Sequence, residues 1–143
     1  MSGLFDNARE LFLRGELSWN ADTIRIMGVD HSVDNPNLAT DTYFSDIAAG
    51  ARRGNSGASG RTDMPTLAGK TTTDGVADAD DVTLTLVTGG LTLSSYVTFM
   101  DTGADGTSPL ISKTDSGTGI PTETSGGDIG LTFSNGVSKV FKL

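Results

Sequence analysis

Cysteine is absent from this chain of 143 residues. That excludes a disulfide framework, a thiolate nucleophile and a Cys-ligated zinc site, and it leaves the redox compartment open. Aromatic residues make up only 6% and hydrophobic residues 36%, a low share for a self-sufficient core and one expected where neighbouring subunits supply part of the stability. Positive charge is scarce too: 10 Lys and Arg face 18 Asp and Glu, for a net charge of -8. Phosphate backbones repel such a chain, so nucleic acid is not an expected partner. No apolar run approaches the roughly 18 residues that span a bilayer. Asp6, Arg9, Glu10 and Arg14 also interrupt the N-terminal apolar residues, against a signal peptide. The expectation is a soluble protein made in the cytoplasm, with no membrane partner and no cofactor.

What the chain does have is glycine, 19 of its 143 residues, nearly twice the usual share of about 7%. Thr and Ser are plentiful as well. Gly breaks helices and Thr suits pleated surfaces, so short strands joined by many turns are expected. The length fits a single domain over residues 1–143. A domain of this size buries roughly 70% of the surface of its unfolded chain, enough for a core without disulfide or metal.

One helix is legible, over residues 2–14. Leu4, Ala8, Leu11 and Phe12 recur at helical spacing, and Phe5 widens the stripe. Ser2 is placed to cap the helix and Gly15 to end it, while Asp6–Arg9 and Glu10–Arg14 are spaced for surface ion pairs. Such a helix either covers one face of a sheet or forms an arm packed on a neighbouring subunit through Leu4, Phe5, Leu11 and Phe12. A second candidate contact is the Gly-rich stretch 50–61 (GARRGNSGASGR), read as a flexible loop. Its Arg52, Arg53 and Arg61 are the one basic cluster in an acidic chain. The loop is either a solvated linker or an arm whose guanidinium groups pair with carboxylates on an adjacent subunit.

Residues 23–29 alternate as a strand with Ile24 and Ile26 on one face, and 41–49 form a short helical turn burying Tyr43, Phe44 and Ile47. Beyond the loop, strands are expected at 66–72, 81–87, 92–100, 110–113, 128–133 and 137–142. In DVTLTLV, Val82, Leu84 and Leu86 share a face. Asn135-Gly136 is a hairpin signal, because a type I′ turn needs positive φ at both positions. The fold class is therefore mainly β: an antiparallel β-sandwich or partly closed barrel with a short N-terminal helix.

Chemistry-bearing patterns are few. Asp101-Thr102-Gly103-Ala104 matches the active-site motif of retroviral-type aspartic proteases, in which two such aspartates share a proton. Too little chain follows it for the flap and the second apolar turn of that fold, and a tight Asp-Gly turn accounts for the residues. Asp74, Asp78, Asp80 and Asp81 form a carboxylate cluster of the kind that takes calcium, but the spacing is not an EF-hand and a solvated turn is the plainer reading. His31 can be drawn into a triad with Asp30 or Asp34 and one of many serines, yet no GxSxG elbow supports it. GNSGASG lacks the Lys of a phosphate loop. Trp19, Tyr43 and Tyr96 are too scattered to argue for a glycan site. No catalytic, cofactor or metal residue is assigned.

The chain as a whole resembles a group of small virion structural proteins encoded by tailed phages. The resemblance runs through LFDNARELFLRGELSW, ADTIRIMGVD, LATDTYFSDIAAGAR and LAGKTTTDGVADADDVTLTLVTG. It ends with MDTGADGTSPLISKTDSGTGIPTETSGGDIGLTFSNGVSKVFKL. Similar blocks stand in the same order in that family, with an Asp-Thr-Gly block among them, while residues 54–65 stand as an insertion. The resemblance implies a non-enzymatic, particle-bound protein. The leading expectation is a multi-copy capsid decoration or cement protein that binds the major capsid protein and forms a homo-oligomer; a neck, tail or fibre-base component is the alternative.

Overall fold

Ile24–Val29 (β2) is the strand about which the chain is built: Ile24, Ile26, Met27 and Val29 are all fully buried. Simple alternation placed only Ile24 and Ile26 inside. The strand is covered on both faces because it lies in the interior of a five-stranded antiparallel sheet, where an apolar run outperforms alternation. In the computed structural model, which describes residues 3–87, 89–90, 92–115, 120–133 and 139–143, that sheet has the order β1-β9-β8-β2-β3. Its other members are Gly3–Leu4 (β1), Arg52–Arg53 (β3), Ser95–Met100 (β8) and Leu110–Thr114 (β9). Gly28 lets Leu93 pack close, since a Cβ there would lie 2.8 Å from a Leu93 methyl and displace it.

Three smaller antiparallel sheets accompany it among the described residues. Thr71–Thr73 (β4), Val76–Asp78 (β5) and Phe141–Lys142 (β12) form one; Val82–Leu84 (β6) pairs with Ile129–Leu131 (β11), and Thr92–Leu93 (β7) with Thr122–Glu123 (β10). The fold is mainly β and sandwich-like, and it does not close into a barrel. One continuous apolar cluster joins the sheets, from Leu4 and Phe5 to Val140 and Phe141. The hairpin signal at Asn135-Gly136 lies outside the described residues, and the strands on either side of it pair elsewhere, β11 with β6 and β12 with β5.

The helix (α1) is shorter than expected, Asp6–Leu13. Leu4 belongs to the strand before it and Phe5 is the extended N-cap residue between them: the Phe5 amide donates to the Ile111 carbonyl at 3.0 Å, and Asp6 donates to Leu38 at 2.9 Å. Their apolar side chains fitted the helical stripe by spacing, but a sheet edge claims them. The expected cap, Ser2, is outside the described residues, and Phe5 holds the N-cap position without a side-chain bond. The C-terminus ends as expected. Gly15 takes φ +70°, and Gly15 and Glu16 donate to Phe12 and Leu11, a left-handed helix stop. The Asp6–Arg9 and Glu10–Arg14 pairs form at 3.0 and 3.1 Å on the surface.

Candidate functional site

The expected contact residues take unexpected places. Leu4 and Phe5 lie inside this chain's own core, 4% and 0% exposed. Leu11 and Phe12 pack partly buried against it. The three arginines do not form a cluster, because stretch 50–61 folds back onto the sheet as short turns and the edge strand β3. Gly54 allows this close return: a Cβ there would meet the Asp63 carbonyl oxygen at 2.6 Å. Arg52 is buried with its guanidinium 4.1 Å from the centre of the Phe44 ring, a cation–π seat, and its Nε has no hydrogen-bond partner. Arg53 donates to the Arg52 carbonyl at 2.6 Å. Arg61 donates to the Gly103 carbonyl at 2.8 Å.

The Asp-Thr-Gly motif caps β8 and meets two of the chain's cations. Oδ2 of Asp101 accepts a bond from Arg25 Nε at 2.6 Å, and Oδ1 accepts the Gly103 amide at 2.9 Å. Arg61 Nε lies 3.1 Å from Oδ1. That nitrogen makes no directed hydrogen bond, so its contribution is charge pairing. Arg25 also donates to the Met64 carbonyl at 2.7 Å. The result ties β2, β8 and the turn Arg61–Asp63 together. Burial raises the Asp101 pKa, but the Gly103 amide and the two arginines outweigh it and hold the carboxyl below its ordinary value. A protease dyad needs the reverse, a carboxylate that shares a proton.

His31 does meet a serine: its Nε2 lies 2.8 Å from Ser95 Oγ. Ser95, however, is fully buried in β8. Asp30 serves the Ser32 amide and hydroxyl and the Thr92 amide, and Asp34 accepts the Ala48 amide. Both candidate carboxylates are thus engaged away from the imidazole, and the buried serine lacks the access a nucleophile needs. The clustered aspartates disperse as well. Asp78 pairs with Lys139 at 2.8 Å and Asp81 accepts the Phe133 amide. Among the described residues no three His, Asp or Glu side chains group as metal ligands, and no helix is long and apolar enough to cross a membrane.

Titration at these sites makes stability depend on pH in one direction. Asp30 is held low chiefly by the Ser32 hydroxyl, against burial, with the Ser32 and Thr92 amides and Arg53 adding to it. His31 is lowered by burial and by the charge of Lys113. The two carboxylates stabilise the fold above their unfolded pKa, about 4, and that contribution is lost as pH falls through their depressed folded values. His31 favours its neutral form when folded, so its contribution falls as pH drops below about 6.5. The urea midpoint is therefore expected to decrease in two stages on acidification. His31→Gln should remove the first stage and keep the second; a midpoint constant from neutral pH into strong acid would contradict the assignment.

What the surface does offer is a groove between α1 and the C-terminal strand. Beside it Phe141 anchors the strand, meeting Phe12 with tilted rings 5.7 Å apart and Trp19 edge-on at 5.1 Å, while Trp19 Nε1 donates to the Asp78 carbonyl. The groove encloses about 370 Å³ and is lined by Leu4, Phe12, Leu13 and Leu143, with Arg9 and Lys142 at its rim. Leu13 is 90% exposed and Leu143 61%. An adjoining depression shares Leu4, Arg9 and Lys142 and continues to Lys113 and Val140. Sequence reasoning named Leu4 and Phe12 but missed Leu13, which falls off the helical stripe, and Leu143, whose role depends on where β12 pairs. Their signal was modest: the run LFL and the closing KL.

The fold and the groove together define a small sandwich-like β module with an open apolar cleft rimmed by cations. Comparison with protein-family models, curated proteins and solved structures returns no match.

Proposed function

We propose that this chain is a non-enzymatic structural protein of a tailed-phage virion. It acts as a multi-copy capsid decoration or cement protein that binds the major capsid protein, made in the bacterial cytoplasm and carried on the particle. The ordered sequence blocks support the virion, and one structural observation supports docking: the apolar groove of α1 and β12. Exposed leucines are costly in water and gain from being covered. The groove is the surface through which the chain joins its assembly, and binding only to the assembled shell shifts the equilibrium toward the intact particle. With a net charge of -8, the chain has neither nucleic acid nor a membrane as partner in this reading.

Quantifying the chain in purified particles tests this directly. A cement protein is present at a copy number comparable to the major capsid protein, whereas a neck connector or fibre base is far scarcer. Leu13→Asp places a charge in the groove from a side chain that is 90% exposed, so folding should be kept. The particle-bound fraction is expected to fall at least about tenfold, the equivalent of losing one buried leucine. Absence of the chain from purified particles would end the proposal.

A further inference from the structure

The groove has a counterpart elsewhere on the same chain. Among the described residues the large exposed apolar side chains are Leu13, Val33, Tyr43, Leu86 and Leu143. Leu13 and Leu143 line the groove; Leu86 stands apart from it, 64% exposed, at the tip of the turn after β6. By alternation Leu86 should follow Val82 and Leu84 to the core. Instead β6 ends at Leu84, and Leu86 takes φ +51°, a left-handed conformation that is unfavourable for a bulky residue.

The turn holds that conformation from several sides. The Leu86 amide donates to Asp128 Oδ1 and the Thr85 amide to Asn55 Oδ1, at 2.9 and 3.1 Å. Ser56 donates to the Thr85 carbonyl, and Val87 and Gly127 bond across the base. A strained backbone is thus braced to present one leucine to solvent beside the exposed carboxylate of Asp128. Knob and groove match in chemistry: an apolar side chain with an acidic neighbour faces an apolar cleft with Arg9 and Lys142 at its rim.

We infer that the groove is filled by the Leu86 turn of a second copy of this chain, making a head-to-tail contact between copies. This rests on the reading of the groove as a docking surface and names its occupant. Because knob and groove are different patches, the contact is heterologous. Repetition closes it into a ring, or runs it as an open chain where the rotation does not close.

Sedimentation of the purified full chain over a concentration series tests this, with two variants. Leu86→Asn removes the knob while keeping a residue that tolerates positive φ, so its monomer should be as stable as the parent or more so. Leu13→Asp spoils the groove. Each variant alone is expected to weaken self-association by roughly tenfold to a hundredfold. Mixed, they restore one contact, between the intact groove of Leu86→Asn and the intact knob of Leu13→Asp, so the mixture forms heterodimers and nothing larger. Failure of the mixture to pair would overturn the head-to-tail contact. A parent chain that stays monomeric throughout while Leu13→Asp still loses particle binding would assign the groove to the shell protein, overturning this inference and leaving the virion role standing. Self-association in a chain missing from particles would do the opposite.

Discussion

Replacing Asp101 with Ala is expected to lower stability by about 3 kcal/mol, the cost of leaving a largely buried cation without its partner. For a domain of this length that is a fall in melting temperature of about 10 °C. The reason is geometric. The Asp101 side chain is only 11% exposed, with Arg25 at 20% and Arg61 at 14%, so little solvent reaches in to replace the carboxylate. Arg25 keeps its bond to the Met64 carbonyl but loses its one ionic partner among the described residues. A double-mutant cycle with Arg25→Ala should give a coupling of about 1–3 kcal/mol. Asp101→Asn keeps the shape and loses the charge, so it should fall between the parent and Asp101→Ala and flatten the acid-side decline in stability. A loss under about 1 kcal/mol with no coupling, small for a buried charge pair, would show that the hub is ornamental to the fold.

Phe44→Ala is the second large effect, about 3–5 kcal/mol for truncating a fully buried aromatic ring. Phe44 sits 4.8 Å from Phe99 between ring centres and carries the Arg52 guanidinium 4.1 Å from its own centre. Truncation opens a cavity and also leaves Arg52 buried over nothing. Phe44→Leu retains much of the volume and loses the aromatic contacts, for which about 1–2 kcal/mol is expected. Arg52→Met supplies the opposite sign. Burial lowers the Arg52 pKa, its Nε is unpartnered and among the described residues no carboxylate forms a salt bridge with it, so an apolar side chain over the ring should leave stability equal or higher. Thermal unfolding of the three variants checks the set, and a strong loss in Arg52→Met would contradict the reading of that cation.

Each of these two sites holds an arginine of stretch 50–61. From the sequence, three guanidinium groups on a Gly-rich stretch make a basic arm. In the fold, Arg52 faces Phe44, Arg61 faces Asp101 and Arg53 lies along its own strand edge. Side-chain proximity in sequence says little about proximity of the charged ends, because each residue of a folded-back segment points to a different neighbour. The docking surface we propose is accordingly the one that α1 shares with the C-terminus. The two cations at its rim, Arg9 and Lys142, are 133 residues apart in the chain.

The sequence by itself determined the class of fold, the stop of α1 at Gly15, its two surface ion pairs and most of the strands. Each of these depends on residues within a few positions of one another, where period, turn chemistry and caps act directly. Tertiary structure alone decided the partners. It set Leu4 in a strand and Phe5 at the helix cap rather than in the helix, paired β12 with β5, gave Asp101 to Arg25, and turned Leu86 out at positive φ where alternation pointed it in. In each case the deciding contact joins residues far apart in the chain, and no local pattern encodes which distant backbone edge, ring or charge will be there to meet them.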